Sequence, residues 1–334
     1  MDARENALRI IRFDRPEYVM GGAPVHSVKY RGNDHAGYEG GGHDCAVGTE
    51  WTDIWGVRWR KIADGVMGFH VGHPLSRPED LKHFTPPDPD DERVCGLIYR
   101  MADEFKSDPE RDRKFLGGRH RETLLEKANT LLGMEALFVA FKAEPNFVRD
   151  VFRMIMDFHL GIAKHYATVG IEYAGLGDDL GTQVGPLVGP DLLEEFLVPE
   201  YRRLFRFYRE RGVLVGFHSC GCIESVLGTF MDLGVDVLNP VQATANDHDK
   251  VRAMTQGRMA LQGGISTGLI MEGPPERIVA EVRRKMWQLG RDGGYFCGPD
   301  QGLPFPDEHI AALEQARTEY GRYPLSPPPE DSPP

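Results

Sequence analysis

The chain has 334 residues, with 39 Lys and Arg against 51 Asp and Glu, a formal charge of −12 and 41% hydrophobic residues. This composition fits a globular protein of one large or two smaller domains, and its acid excess without a basic stripe argues against nucleic acid as a partner. No apolar run approaches the roughly 20 residues that cross a bilayer, and the opening MDARENALRI lacks the apolar core of a secretion signal.

Five cysteines, Cys45, Cys95, Cys220, Cys222 and Cys297, are too few and too scattered for a disulfide framework. They read as reduced thiols of a cytoplasmic enzyme, open to metal binding or catalysis.

Along the chain, the Gly- and His-rich stretch 21–50 shows no sustained period and reads as loop. WTDIWGVRWRK suits strands or a hairpin. HPLSRPEDLKHFTPPDPDDERV is proline-punctuated and acidic, a surface connection with at most one helical turn. RETLLEKANTLLGM has helical spacing and closes at Gly133, before the apolar run ALFVAF. EPNFVRDVFRMIMDFHLGIAKHYATVG is the longest helical pattern, with apolar residues recurring at three and four.

From Gly170 onward, strands alternate with helices. Strand-like IEYAGL precedes Gly177-Asp178-Asp179, and the helical segment from Pro190 to Gly212 is expected to break at Pro199. Strands VLVGF, VDVLNP, MALQGG and GGYFCG then alternate with helices ESVLGTFMDLG, DHDKVRAMTQG, PERIVAEVRRKMWQLG and PDEHIAALEQARTEYG. Short strands returning through helices demand a parallel sheet. No GxGxxG or Walker loop follows a strand, so a nucleotide-binding fold lacks its phosphate chemistry. The expected architecture is α/β, a (β/α)8 TIM barrel with an irregular N-terminal portion over 1–325. The tail 326–334 is too Pro-rich to pack and is expected to be disordered.

In such a barrel, function collects at the carboxyl ends of the strands. The residues just past the predicted strands are Asp178 and Asp179, His218 with Cys220, Asn239 and Gln242, Gly264, and Cys297 with Asp300. One His and two Cys match the three protein ligands of a catalytic zinc site with one open position. The bland reading is that the cysteines are small buried hydrophobes and His218 a satisfied loop residue. His43 with Cys45, and His70 with His73, are weaker ligand pairs without a third partner in evidence. Asp178 and Asp179 suit acid/base or substrate-anchoring work, with turn chemistry as the competing reading. Arg202, Arg203, Arg206 and Arg209 recur at helical spacing and read as a solvated face.

The segments GLGDDLGTQVGPLVGPDLLEEFLVPEYRRLF, GFHSCGCIESVLGTFMDLGVDVLNPVQ, MALQGGIS and GGYFCGP resemble the uroporphyrinogen decarboxylase superfamily. Weaker similarity extends upstream through FDRPEY, TDIWGVRW, HPLSRPEDL and LLGMEALFVAF. The resemblance implies a single (β/α)8 barrel. It also implies one of two chemistries. Decarboxylases of this superfamily are metal-free and grip substrate carboxylates with an N-terminal arginine loop, and FDRPEYVMGGAPVHSVKYRG lacks those paired arginines. The other branch, corrinoid-dependent methyltransferases, holds zinc through a His-x-Cys…Cys pattern, which His218, Cys220 and Cys297 match.

On that resemblance, zinc binds the acceptor thiol, and the thiolate attacks a methyl group carried on the corrinoid of a partner protein. Asp179 is then the catalytic carboxylate, while Asp178 and Gln242 contact substrate. A homodimer is implied by family analogy alone. The rival enzyme is a metal-free decarboxylase of uroporphyrinogen or a related polycarboxylate, with Asp179 as its acid. A ligand-binding barrel without turnover and a structural subunit are the non-catalytic alternatives. Polar and thiol groups at a barrel mouth disfavour the last, since unpaired polar groups cost stability.

Overall fold

The computed structural model describes residues 1–329. Seven parallel strands form its main sheet: β1 Val25–Lys29, β5 Phe115–Arg119, β6 Tyr173–Gly177, β7 Leu214–His218, β8 Val237–Asn239, β9 Ala260–Ile265 and β10 Tyr295–Pro299, neighbours in that order. Strands β2 Glu50–Thr52, β3 Arg58–Arg60 and β4 Phe69–Gly72 make a separate antiparallel sheet. The sheet curls into an α/β TIM-barrel-like fold, as the alternation predicts, with seven strands where eight are expected. The chain just ahead of β1 supplies part of the missing contact: Met20 bridges Phe296 in parallel sense, and the Cys297 N–H donates to the Met20 carbonyl at 2.8 Å.

All five strands expected beyond Gly170 are present, and the hairpin at WTDIWGVRWRK is β2 and β3, with Trp51 opposite Trp59. The N-terminal portion is more ordered than its composition suggests. Within the stretch read as loop lies β1, and FLGGR forms β5, whose paired glycines hide it from a propensity argument. Ala3–Arg12 is a helix capped by Asp2, and its Ala7, Ile10 and Ile11 plug the lumen against Phe115, Val237, Ala260 and Phe296. Glu92–Lys106 is a helix capped by Asp91, and ALFVAF lies in the helix Met134–Ala143. Pro199 does not break its helix. The chain runs from Pro190 to Arg209 through a widened π turn at Leu193–Leu197. Five of the expected tail residues, 330–334, lie outside the described residues.

Side-chain alternation along each strand positions the site. Phe115, Tyr173, Leu214, Val237, Ala260 and Phe296 face the lumen around the plug helix. Two residues further, the lumen-facing positions are Gly117, Gly175, Gly216, Asn239 and Gln262, all on the wall of a cavity of about 970 Å³. The intervening residues, such as Leu116, Ala174, Val215 and Leu261, pack outward in the main core with the helices.

Candidate functional site

His218 ends β7, facing the lumen two residues above Gly216. Cys220 follows in the next loop, and Asp179 arrives from the loop after β6. His218 Nε2 lies 3.3 Å from Cys220 Sγ and 3.4 Å from Asp179 Oδ1. The ligand atoms of these three residues lie within 4.8 Å of one another, and all three line the cavity.

Their loops are locked together through backbone groups. The Cys220 N–H donates to Asp179 Oδ1 at 2.9 Å, the Gly181 N–H to the Cys220 carbonyl at 3.1 Å, and the Cys222 N–H to the Thr182 carbonyl at 2.7 Å. This approach needs two glycines. A Cβ on Gly181 would sit 2.5 Å from the Cys220 carbonyl oxygen, and one on Gly221, at φ 84°, 2.4 Å from the Gly181 carbonyl carbon.

The surroundings orient the donors. His218 Nδ1 is 2.9 Å from Asn239 Oδ1, an acceptor, so Nδ1 carries the proton and Nε2 faces the acid and the thiol. That is the arrangement in which a metal-binding imidazole is held by an outer partner. Gln301 Nε2 donates to Cys220 Sγ at 2.9 Å, and Gln242 Oε1 accepts the Gly221 N–H at 2.9 Å. Burial opposes charge on His218, but its hydrogen bonds to Asp179 and Cys220 prevail and lift it to about 10. Asp179 moves the other way: burial raises it, and the hydrogen bonds from His218 and Cys220 outweigh burial. The group is built to surround positive charge, whether a proton or a metal cation.

Two expected site residues lie elsewhere. Cys297 is fully buried and packs outward with Tyr295 and Leu313, while Phe296 takes the lumen-facing position beside it. Alternation therefore directs Cys297 into the helix layer, where burial raises its thiol to about 12. The donor group holds Asp179 in its place. Asp178 is likewise completely buried, outside the lumen. Its carboxylate accepts the N–H groups of Leu124, Leu125 and Glu126 at 2.7, 2.8 and 2.9 Å and the Tyr201 hydroxyl at 2.5 Å. It caps the helix Leu125–Leu132 from a distant segment and has no free face for substrate.

Gln242 does line the cavity, buttressing the Cys220 loop. Asp300 clamps the loop after β8 to strand β9 through the N–H groups of Ala243 and Gly264. Neither His43 with Cys45 nor His70 with His73 belongs to a three-donor group among the described residues. Cys45 Sγ faces the Gly42 carbonyl, and His73 Nδ1 the Thr130 carbonyl. Arg203 and Arg206 form surface ion pairs with Asp157 and Glu210, as a solvated face should.

Sequence reasoning misses the wall supplied by β5. Arg119, Arg121, Glu122 and Glu126 all line the cavity. Glu122, at φ 49°, turns inward to a buried pair with His35 Nε2 at 2.7 Å and Lys127 Nζ at 2.8 Å. Burial, then the charges of Asp178 and Asp179, push the Glu126 carboxyl upward, so it holds a proton at neutral pH. No local motif marks these residues, because β5 itself is hidden by its glycines.

The barrel with its functional groups at the carboxyl ends of the strands defines the class of protein. The chain belongs to the uroporphyrinogen decarboxylase (URO-D) family, whose model matches residues 68–320. Among solved structures, a methyltransferase from Methanosarcina mazei superposes with a TM-score of 0.70 at 16% identity, covering 96% of this chain and 99% of that one. A radical S-adenosylmethionine methyltransferase from Kitasatospora setae reaches a TM-score of 0.27 at 13% identity, over 66% of this chain and 36% of its own. No curated protein matches the chain. Among the described residues, no helix is long and apolar enough to cross a membrane.

Proposed function

We propose that this protein is a zinc-dependent methyltransferase that moves a methyl group between a corrinoid carried by a partner protein and a thiol acceptor. The observation that carries the reading is the group Asp179, His218 and Cys220, with donor atoms within 4.8 Å on the wall of a large polar cavity. Carboxylate, imidazole and thiol are all zinc donors, and three protein ligands leave a position for substrate. The residues fit the metal: His218 presents Nε2 because Asn239 holds Nδ1, and among the described residues no fourth His, Cys, Asp or Glu donor closes the group. Family membership and the fold shared with the Methanosarcina mazei methyltransferase agree with it.

When bound, zinc supplies a Lewis acid that keeps an acceptor thiol ionised at neutral pH. Asn239 fixes the ring of His218, and the Cys220 N–H fixes the Asp179 carboxylate. Gln301 supplies a hydrogen bond to Cys220 Sγ, which would steady a thiolate there as it held the metal. Glu126 lines the same wall with its carboxyl pushed upward by burial, then by the charges of Asp178 and Asp179, so it adds no negative charge beside the donor group. The corrinoid partner, a cytoplasmic location and a homodimer complete the proposal.

Elemental analysis of the purified protein tests it. About one equivalent of zinc is expected, lost in both Cys220→Ser and Asp179→Asn. A zinc-free wild-type protein with full methyl-transfer activity would sink the reading.

One observation favours a second reading. Arg119 and Arg121 converge on the cavity, as decarboxylation of a polycarboxylate would need. Metal-free turnover of uroporphyrinogen by the purified protein would decide for the decarboxylase, although the lowered carboxyl of Asp179 does not suit it as the acid.

A further inference from the structure

At the amino ends of β9 and β10, opposite the donor group, a groove of about 250 Å³ runs between the helix His248–Thr255 and the end of the helix Pro275–Gly290. Asp249, Arg252, Ala253 and Gln256 recur at helical spacing along one wall, with Gln288 and Arg291 across from them. Arg252 is only 7% exposed. Its guanidinium donates to the Gly294 carbonyl at 3.0 Å, just ahead of β10, and to Gln256 Oε1 at 3.3 Å. It also lies 5.5 Å from the centre of the Phe13 ring, at the end of the plug helix.

These contacts explain how Arg252 ties the plug helix to β10, but they leave its charge unmatched. Among the described residues no carboxylate forms an ion pair with it, and its Nε is buried without an acceptor. The other buried cations are served. Lys127 meets Glu122, Lys285 meets His248 and Glu281, and Lys61 donates to the His43 and Val66 carbonyls. The acids of the groove are engaged elsewhere: Asp249 accepts Gln288 Nε2 at 2.9 Å, and Asp292 lies 3.5 Å from Arg291. Burial pulls the Arg252 guanidinium down to about 10, outweighing the charges of Tyr295, Tyr323 and Asp292. Arginine is almost never buried unpaired, because an isolated charge out of water is costly. Its forked donors and weak hydration suit it to an oxyanion.

We propose that this groove binds a small oxyanion, a phosphate or carboxylate group, held by Arg252 and the amides of Gln256 and Gln288 with Arg291 at the rim. The site is separate from the donor group and does not depend on the methyl-transfer reading. Its occupant supplies the missing counter-charge beside the seam where the Gly294 N–H donates to the Ile10 carbonyl at 3.1 Å. Binding therefore stabilises the plugged end of the barrel.

Scanning calorimetry of the full chain tests it, in sodium phosphate against sodium chloride of equal ionic strength. At roughly ten times its dissociation constant, phosphate should raise Tm by about 2 °C. Isothermal titration with phosphate should show a single site at this groove. Arg252→Gln should abolish both effects and leave zinc content unchanged. Ala253→Phe fills the groove from an exposed helix position, should also block phosphate, and carries the test if Arg252→Gln fails to fold. Arg119→Gln and Cys220→Ser, both at the barrel mouth, should respond to phosphate as wild type does. A wild-type protein that gains nothing from phosphate over chloride overturns the proposal. So does a response that survives in folded Arg252→Gln or Ala253→Phe, or one that disappears in Arg119→Gln or Cys220→Ser.

Discussion

Replacing Asp178 probes whether a carboxylate placed by its neighbours at a strand end serves the fold or the substrate. Asp178→Ala removes the acceptor of four hydrogen bonds at 2.5–2.9 Å, three from backbone N–H groups and one from Tyr201. At about 1 kcal/mol net for each buried hydrogen bond, the loss is about 4 kcal/mol. A helix cap is worth about 1 kcal/mol by itself, so most of the loss comes from orphaning several buried donors at once. Asp178→Asn keeps one carbonyl oxygen but turns an NH₂ toward N–H groups, so about 2 kcal/mol is expected. Urea unfolding followed by circular dichroism measures both. Zinc content and thiol binding of the folded fraction should match wild type. A variant as stable as wild type to within about 0.5 kcal/mol, yet unable to bind substrate, would refute the reasoning and restore Asp178 to the site.

Cys297→Ala should retain zinc, at about 1–2 kcal/mol of stability for the small void it leaves, whereas Cys220→Ser loses the metal. Loss of zinc from Cys297→Ala would contradict the outward path of that side chain. Asn239→Leu removes the partner of His218 Nδ1 and should weaken zinc binding about 10- to 100-fold in a competition titration with a chelating dye. Unchanged affinity would show that Asn239 does not orient the ring.

Two buried histidines make a pH-dependent contribution to stability that is lost on acidification. Burial holds His159 down to about 3 and His248 to about 4, so the unfolded chain takes up their protons first. Their contribution is complete above about pH 6.5 and drops as pH falls, by about 1.4 kcal/mol per unit for each histidine. Between pH 6.5 and 4.5 the two remove on the order of 4–5 kcal/mol, while the raised carboxyls of Glu126, Asp178 and Asp300 act in the opposite sense; a His159→Gln, His248→Gln double variant whose urea midpoint changes with pH just as wild type's does would contradict it.

Composition and periodicity by themselves determine the parallel α/β alternation beyond Gly170, the hairpin at Trp51 and Trp59, and the pairing of His218 with Cys220 at one strand end. These are local facts: turn residues, helix periods and an i, i+2 spacing need no distant partner. β1 and β5 are invisible to such reasoning, because their stability comes from the sheet around them rather than from Val- and Ile-rich sequence.

Tertiary structure decides which strand-end residues face the lumen. A shift of one position sends Cys297 among the helices while Phe296 plugs the barrel. The same alternation sends Asp178 to a helix terminus and leaves Asp179 beside His218. Strand-end position is readable along the chain. The direction of a side chain depends on register and burial, which neighbouring strands impose together. Arg119 and Glu126 reach the mouth for that reason, although no motif announces them.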